Sequence, residues 1–542
     1  MPSGETAPLT GVGWQLQRYF VPFFAIACGL LWGIELAPTI AAHVGHDQAW
    51  DLYAANAVMH GVQLNGPRLI EVNPPFLVWF FSLPALLARM LHISLSAGFR
   101  TFWIVSITAL IAWSASLYRR VCRASALGVW LFVLCAMYIA TAPISLDDRG
   151  QREYFTAFFL LPYALWAASR LRNIALPLTE AFVATFFAAV GVCLKPQHVL
   201  DVVAIELLVL IRLRSMRRWF QPPLVVLVAG PAFYLLAVRI FSPLYLRDIM
   251  PLLRETYWGF DRTWSAIAHA ADKQAAAFAI ALILYVGLRR RLRAEPIVAC
   301  LLAAATGALL AYAQQHKGWS YQLLALQIFS YLAVGVICCD VAEQTWLQWD
   351  TKRHRAEAEH LPTSVCIGLA VLAFVIALSV RLWHMKPIPY FETQKTDLAT
   401  IYSEYPPGTA VDLLAVEPWE WPEVLEQNKV WASRYMHLWS LPAIVRSQDP
   451  LDTDAAHHLP AAKISELSDL LRQTTAEDLA HWRPAVVVIE PCDDPNLCPA
   501  LARIGYSGLL DWFERDPQFR DQWSHYRYQK PVGDLQVYTR VP

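Results

Sequence analysis

The chain has 542 residues, of which 56% are apolar and only 16% are charged, and its mean hydropathy is +0.36. Soluble domains contain about 45–50% apolar and about 25% charged residues, so this composition excludes a protein whose whole surface faces water. The 44 basic residues balance 44 acidic ones, which argues against nucleic-acid binding, and 10 cysteines are too few for a small disulfide scaffold. The composition predicts a polytopic, mainly helical membrane protein with a soluble appendage.

Eleven long apolar runs predict transmembrane helices. A helix needs roughly 20 mostly apolar residues to cross the hydrocarbon core of a bilayer. Runs of this kind occupy 19–42, 98–118, 125–143, 154–171, 177–194, 197–213, 222–242, 271–288, 296–314, 319–340 and 362–384. Residues 1–18 are polar and lack a signal-peptide pattern, so we expect the first run itself to act as the anchor.

A further apolar run, 74–92, contains three prolines and has Arg89 and His92 at its far end. Lys and Arg in short loops concentrate on the cytoplasmic side of a membrane. If 74–92 lies in the interface without crossing, 16 basic residues in five loops and their helix ends face the cytoplasm. These loops are 119–124, 172–176, 214–221, 289–295 and 341–361. We therefore predict eleven spans, a cytoplasmic N-terminus and an outer C-terminus, whereas a twelfth span at 74–92 would turn all five loops outward.

Residues 385–542 differ in character from the rest of the chain. Apolar strand-like runs at 411–416 and 485–489 alternate with helical stretches such as 463–472, which predicts a small α/β domain. We expect a transmembrane domain over 1–384 and this soluble domain on the outer, periplasmic side. An oxidising outer compartment would allow a disulfide between Cys492 and Cys498, and two free thiols are the open alternative.

The predicted outer loops collect polar residues at one face of the membrane. Ionisable groups near membrane depth are costly and usually line a cavity or a pathway, so these loops suggest one shared site. The candidates are Asp47, Glu71 and Asn73 in the first loop, Asp147, Asp148, Arg149 and Arg152 in the second, Lys195 and His198 at a break between two spans, and His316 and Lys317 before 319–340.

Each of these groups also has a purely structural interpretation. The acidic second loop could be a locally salt-bridged turn, Lys195 could extend to the lipid headgroups, and His316 with Lys317 could be an ordinary loop pair. The charged segment 243–270 is more typical of an amphipathic interfacial helix. Asp47 is the hardest to explain structurally, because it directly follows the first span and precedes an amphipathic stretch.

The first outer loop carries a family resemblance. Asp47 is followed by an amphipathic stretch that ends at Gly61, and Glu71-Val72-Asn73-Pro74-Pro75 then precedes an aromatic-rich apolar run. This order resembles the first outer loop of GT-C glycosyltransferases, in the branch of the lipid A aminoarabinose transferases and the protein O-mannosyltransferases. A second acidic loop and a soluble domain after the last span extend the resemblance. It implies that Asp47 is the catalytic carboxylate and that Asp147 or Asp148 is the acid of the second loop.

Two positions depart from the family pattern. The aminoarabinose transferases usually have Asp-Glu and Glu-Lys-Pro-Pro, whereas this chain has Asp47-Gln48 and Glu71-Val72-Asn73-Pro74-Pro75. The lysine that is thought to meet the donor phosphate is therefore missing from that position. Arg binds phosphate bidentately and Lys acts as a point charge. The cations that we expect to replace the lysine are Arg149, Arg152, Lys195 and Lys317.

The resemblance implies a sugar donor linked through phosphate to a polyprenol in the lipid bilayer, and a glycan, a glycolipid or a protein as acceptor. One carboxylate would take the proton from the acceptor hydroxyl as its oxygen attacks the anomeric carbon and inverts it. Glu71 and the second-loop acids would orient sugar hydroxyls or support a cation. We expect no cofactor, and a divalent metal at these acids is the alternative.

These observations predict a transferase of the bacterial inner membrane, and three other functions compete with it. Transporters or flippases of lipid-linked sugars typically show internal repeats and broken helices near the midplane. This chain shows no repeat, and its charges lie at one face. Polymerases and ligases of surface polysaccharide typically have a large outer loop late in the chain, whereas the longest loop here is the first. A non-catalytic scaffold would leave the two acidic loops unexplained.

Overall fold

The computed structural model describes residues 43–353, several positions between 26 and 40, and residues 397–416, 421–452, 456–490, 508–533 and 535–541. These residues are mainly helical, and a small sheet lies near the C-terminal end. The predicted span 362–384, most of the predicted span 19–42, and both Cys492 and Cys498 lie outside the described residues.

The N-terminal part of the chain is a bundle of helices joined by short turns. Its helices are α1 (His46–Met59), α2 (Phe76–Leu91), α3 (Leu95–Cys122), α4 (Ala126–Thr141), α5 (Arg152–Leu171), α6 (Leu178–Leu194), α7 (Val199–Leu213), α8 (Met216–Trp219), α9 (Val225–Phe241), α10 (Met250–Thr256), α11 (Trp264–Ala270), α12 (Asp272–Leu288), α13 (Glu295–Gln315) and α14 (Leu324–Arg353). A π-helical turn at Tyr245–Ile249 precedes α10. Each apolar run within 43–353 therefore forms a helix near its predicted bounds.

Several of these helices are suited to a membrane. Four are long and apolar enough to cross one, namely Leu95–Cys122, Pro222–Phe241, Glu295–Gln315 and Ser320–Leu347. Helices α11 and α12, which meet at a bend of 63°, make a fifth if they form one span. Helices α2, α4 and α6 are apolar but shorter, and α7 is short and carries charged residues. The described residues thus contain four or five candidate spans, and the count of eleven stays a prediction.

Helix α5 is the central helix of the bundle. Its residues are buried continuously from Arg152 to Arg170, and it contacts α3, α6, α7, α13 and α14. Small residues let the backbones of these helices approach closely. A Cβ atom on Gly307 of α13, for example, would clash with the backbone of Leu200 and Asp201 in α7. Because α5 has 20 residues, its two ends are about 30 Å apart.

The outer surface of the bundle is strongly apolar. On α9, Val228, Phe233 and Phe241 are 74%, 73% and 74% exposed. A contiguous apolar surface of this kind is unfavourable in water and marks a face that contacts lipid or another apolar partner. The exposed residues and the apolar helix lengths together indicate a membrane-associated protein.

The C-terminal part contains a five-stranded sheet with short helices, as the alternating pattern predicts. The elements are β1 (Ala410–Leu414), α15 (Trp421–Glu426), β2 (Val430–Trp431), α16 (Leu441–Gln448), α17 (Ala461–Trp482), β3 (Val486–Ile489), α18 (Leu509–Phe513), α19 (Pro517–Trp523), β4 (Tyr526–Val532) and β5 (Leu535–Arg540). The strand order is β2-β1-β3-β5-β4. Strand β1 pairs in parallel with β2 and β3, and β5 pairs antiparallel with β3 and β4. All four residues of β3 are buried because it lies at the centre of the sheet.

The C-terminal sheet domain packs directly on the first loop of the helical part. The ring centroids of Trp50 and Trp421 are 4.7 Å apart, and those of Tyr53 and Trp421 are 5.1 Å apart. The backbone N–H of Ile70 donates to the carbonyl of Arg434 at 2.7 Å. The sheet domain therefore holds both α1 and the residue that precedes Glu71.

Candidate active site

The first and second loops meet where α1 begins. Gly45 precedes α1, and a Cβ atom there would clash with the carbonyl of Asp147. The Gln48 side-chain amide donates to the carbonyl of Asp147 at 2.9 Å and to that of Arg149 at 3.2 Å. Glycine is needed because the two backbones are so close, and Gln48 fixes their relative position. The structure thus brings together the two loops that the sequence analysis singled out.

Asp47 lies in the first turn of α1 and keeps 20% of its side chain exposed. The Gln151 amide donates to Oδ2 of Asp47 at 3.1 Å, and Nε2 of His46 lies 3.5 Å from Oδ1. Burial disfavours the ionised form, but His46, Arg152 and Gln151 outweigh it and hold the pKa of Asp47 below its usual value. Asp47 is therefore an accessible carboxylate that is ionised at neutral pH.

Two further carboxyl groups behave in the opposite way. Burial, with the nearby charges of Glu71 and Asp47, raises the pKa of Asp51 well above its usual value. Burial also raises the pKa of Glu71, although the Asn73 N–H (2.6 Å) and the Trp50 indole donate to its oxygens. The site therefore holds one carboxylate with a lowered pKa beside two carboxyl groups with raised pKa values. Such a separation is the usual way in which a site assigns different roles to like groups.

The Glu71-Val72-Asn73-Pro74-Pro75 segment connects the first loop to the second. Its start is fixed by the Asn65 side chain, which accepts from the Glu71 N–H at 2.8 Å. The Asn73 side-chain oxygen accepts from Arg152 at the start of α5. Helix α2 begins at Phe76, directly after the two prolines, because the proline ring fixes φ at a helical value and the missing N–H costs nothing at the start of a helix. The segment thus leads directly from the candidate site into the aromatic-rich apolar run, which forms α2.

Two of the four candidate cations, Arg152 and Lys195, lie next to each other. Nζ of Lys195 is 2.9 Å from Oε1 of Glu153, and Nε of Arg152 is 3.4 Å from the same oxygen. The Arg152 guanidinium and the Lys195 ammonium lie 5.8 Å and 5.7 Å from the centroid of the Tyr321 ring. Burial, with the charge of Arg152, lowers the pKa of Lys195 to about 8. Two cations thus share one fully buried carboxylate beside an aromatic ring.

The remaining residues of the second loop have local partners. The Arg149 guanidinium donates to the Thr141 carbonyl at 2.7 Å, at the end of α4. The Ser145 hydroxyl donates to Oδ2 of Asp148 at 2.7 Å. Burial raises the pKa of Asp148 to about 6, although Ser145 acts against this shift. The charge of Asp47 also contributes to the raised pKa of Asp148, so Asp148 lies near the candidate site. Its described hydrogen bond is to Ser145 and not to Asp47.

His198 is fully buried in the short 3-10 turn that follows Lys195. Its Nδ1 is 2.8 Å from Oδ2 of Asp201, and both side chains are fully buried. Its Nε2 has no hydrogen-bond partner among the described residues. His198 also contributes to the electrostatic environment of Glu153. It is therefore placed to support the Glu153 group, while its direct partner is Asp201.

His316 and Lys317 contact a different group of residues. His316 ends α13 in a left-handed conformation and packs edge-on against Trp264, with ring centroids 4.2 Å apart. Lys317 pairs with Asp261 and donates to the Tyr257 carbonyl at 2.8 Å. These contacts support the structural interpretation of a loop pair for both residues. Neither residue has a described contact with Asp47 or Arg152.

The structure adds site residues that the sequence analysis did not select. Gln151 donates to Asp47, Gln48 joins the first loop to the second, and Tyr321 lies against both cations. His437 comes from the sheet domain, and its charge interactions are with Asp47 and His46. Burial lowers the pKa of His437 to about 4, although the Val416 carbonyl and Asp47 act against the shift, so this imidazole is neutral at pH 7. Gln48 and Gln151 stood within the two loops that the sequence pattern had marked, whereas Tyr321 and His437 did not.

Within the part of the chain that the structure describes, no group of three or more His, Cys, Asp or Glu residues is arranged to hold a metal ion. No protein-family model matches the chain, and no curated protein shows significant sequence similarity to it. The site itself is a polar cluster at one end of a bundle of apolar helices, closed on one side by the sheet domain. Its features are one partly exposed carboxylate with a lowered pKa, two buried carboxyl groups with raised pKa values, and two adjacent cations that share Glu153.

Proposed function

We propose that this protein is a membrane glycosyltransferase of the GT-C type, which moves a sugar from a polyprenyl-phosphate donor to a hydroxyl of a cell-envelope acceptor. The observation that carries the proposal is the ionised Asp47 near the adjacent cations Arg152 and Lys195, at one end of an apolar bundle. A lipid-linked phosphate sugar needs this combination, because its tail stays in the bilayer while its charged part lies at the helix ends.

In the proposed reaction, Asp47 is the general base. The acceptor oxygen forms a bond to the anomeric carbon while its proton passes to the Asp47 carboxylate. The bond between the anomeric carbon and the phosphate oxygen breaks, and polyprenyl phosphate leaves with the electron pair. Inversion follows because attack and departure occur on opposite faces. The lowered pKa of Asp47 favours the ionised form, which is the form that accepts a proton, whereas the raised pKa values of Asp51 and Glu71 favour their protonated forms.

Arg152 and Lys195 are proposed to bind the departing phosphate. They share Glu153, whereas Lys317 has Asp261 as its own partner and Arg149 donates to a backbone carbonyl. A pair of cations around one carboxylate leaves positive charge for a phosphate anion, where charge develops as the bond breaks. An arriving anion also favours the charged form of Lys195. Both oxygens of Glu71 already accept hydrogen bonds, which does not favour Glu71 as a metal ligand.

The acceptor is proposed to approach Asp47 from the side of the sheet domain. His437 of that domain and His46 of the first loop both lie near Asp47. A neutral imidazole can accept or donate a hydrogen bond without adding charge beside the base. This arrangement gives the sheet domain a role in positioning the acceptor hydroxyl rather than a purely structural one.

The proposal also requires the eleven-span topology, with the site at the periplasmic face of a bacterial inner membrane. Single cysteines at position 90 in α2 and position 123 after α3 test it in a background without other reactive cysteines. We expect a membrane-impermeant thiol reagent, added from the outer side, to leave position 123 unlabelled. Position 90 is expected not to reach the cytoplasm. The reverse pattern would place the site in the cytoplasm and contradict the donor chemistry.

A pH profile tests the second loop. If the ionised form of Asp148 supports transfer, the wild-type rate falls as the pH drops through about 6, where this group gains its proton. Asp148→Asn mimics the protonated form, so we expect a rate at least about tenfold lower at pH 8. The Asp148→Asn variant should also no longer show the fall in transfer rate near pH 6.

Asp147→Asn is the matched variant for this experiment, and membrane abundance is compared for both. We expect Asp147→Asn also to lower the rate but to retain the transition near pH 6. If both variants turn over normally, the loop is structural and its carboxylates have no catalytic part.

Analysis of cell-envelope glycans tests the function itself. Deleting the gene is expected to remove one sugar mass from one glycan, glycolipid or protein, and the wild-type gene restores it while Asp47→Asn does not. Loss of polymer length instead of a single sugar would favour a polymerase or ligase. A transporter is favoured if Asp47→Asn restores the modification and disrupted membranes transfer the sugar without this protein.

A further inference from the structure

A second polar feature lies at the opposite end of α5 from the candidate active site. A cavity of about 430 Å³ opens where α5 ends and α6 and α8 begin. Its lining includes Trp166, Arg170, Asn173, Arg217, Arg218 and Phe220. The volume is in the range of small-ligand pockets. Since α5 is about 30 Å long, this cavity and the candidate active site lie about one hydrocarbon thickness apart.

The charges around this cavity are positive and only partly compensated. No acidic residue is among those that line it. Arg170 is neutralised by Glu206, whose oxygens lie 2.7 and 3.0 Å from its Nη1. Arg218 donates to the neutral Asn173 side chain at 2.7 Å, and Arg217 is exposed with no carboxylate partner among the described residues. Two guanidinium groups at the cavity therefore keep their full charge.

The walls beside these arginines are apolar and exposed. Leu178 and Phe220 line the cavity and are 58% and 55% exposed, and the neighbouring Met216 is 61% exposed. Apolar side chains next to uncompensated guanidinium groups form a surface that suits an amphipathic anion. A free phosphate ion uses only the charge, whereas a phospholipid also covers the apolar surface.

We propose that this cavity binds the headgroup of an anionic phospholipid, with its acyl chains along Leu178 and Phe220. Arg217 and Arg218 contact the phosphate, because guanidinium groups bind phosphate bidentately and basic pockets between membrane helices bind anionic headgroups. A neighbouring cavity of about 570 Å³ is lined by Arg172, Arg289 and Arg290 together with one acidic residue, Glu295, and extends the basic surface. The inference does not depend on the proposed sugar transfer.

The test compares two pairs of arginines on the same predicted face. Arg217→Gln with Arg218→Gln removes the cavity charges, and Arg119→Gln with Arg123→Gln removes equal charge from exposed residues outside the cavity. Binding of phosphatidylglycerol, phosphatidylcholine and inorganic phosphate to the purified full chain is measured by native mass spectrometry and by thermal protection. Loss of one hydrogen bond to a charged group weakens binding by about tenfold to a hundredfold.

We therefore expect the cavity pair to weaken phosphatidylglycerol binding by about tenfold or more, and the control pair, which does not line the cavity, to leave it within about twofold. Phosphatidylcholine and inorganic phosphate are expected to bind weakly to every form. Equal losses in both pairs overturn a specific site, and equally tight binding of inorganic phosphate overturns the lipid as the ligand.

A photoactivatable phosphatidylglycerol gives a measurement that needs no variant. In the wild-type protein, crosslinked peptides are expected from 166–181 and 213–221. Crosslinks confined to other helices overturn the proposal even if the cavity variants fail to fold. Loss of the envelope modification in cells does not bear on this result, so the lipid site and the transferase function are tested separately.

Discussion

Asp47→Asn is expected to slow sugar transfer by about 10²–10⁴-fold, the usual contribution of a general base. The amide keeps the size and the hydrogen-bonding capacity of the carboxylate, but it cannot accept a proton at the working pH. Donor binding should stay close to that of the wild type, because affinity comes from the lipid tail and the phosphate contacts. The measurement pairs donor binding to purified protein in nanodiscs with single-turnover transfer.

Asp248→Asn is the matched control for this substitution. Asp248 is 46% exposed and pairs with Arg247 outside the candidate site, so its loss should leave both binding and transfer unchanged. Lost donor binding or lost expression with Asp47→Asn would indicate a structural role for Asp47. Normal transfer by the Asn variant would reject it as the base, and Asp51 or Glu71 would become the next candidates.

Lys195→Gln is expected to weaken donor binding by about tenfold to a hundredfold, the range of a lost hydrogen bond to a charged group. Glu153 keeps Arg152 as a partner in this variant, so the buried carboxylate is not left unpaired. Titration with a polyprenyl-phosphate sugar measures the effect, and the unfolding temperature of each protein in detergent shows whether the bundle is intact.

Lys317→Gln removes the same charge from a lysine that contacts Asp261 and Tyr257 instead of the Arg152 group. We expect this variant to bind the donor within about threefold of the wild type. If Lys317→Gln weakens donor binding more than Lys195→Gln does, Lys317 rather than Lys195 binds the donor phosphate. The phosphate would then lie at the loop beside the sheet domain.

The elements of the helical part could be predicted from the sequence because apolar runs of about 20 residues leave few alternatives to a helix. The contact between the first and second loops was also foreseeable. Two polar segments that face the same side of a membrane are costly unless they meet, and the structure pairs Asn73 with Arg152 and Asp47 with Gln151. The number of spans was harder to predict from the sequence, because α7 is short and carries charged residues. Its hydropathy pattern does not show which of these side chains the bundle buries.

The sequence could not show which of the four candidate cations lie together at the candidate active site and which have partners elsewhere. Lys195 and Lys317 each stand beside a proline or glycine near a helix end, so their local patterns are similar. Their partners, Glu153 and Asp261, are set by how distant helices pack. His437 gave no local signal at all, because its approach to Asp47 depends on the docking of the sheet domain through Trp421 and Arg434.

The most direct test of the transferase function uses the donor that accumulates when the gene is deleted. Radiolabelled lipid extract from the deletion strain is added to wild-type protein and to Asp47→Asn in nanodiscs, with deletion-strain envelopes as acceptor. We expect the wild-type protein to release one polyprenyl phosphate for each sugar transferred, and the transferred sugar to have an inverted anomeric configuration. The Asp47→Asn variant is expected to bind the donor without transferring the sugar. Transfer at the same rate by both proteins, or no transfer from any polyprenyl-phosphate sugar by the wild type, would contradict the account.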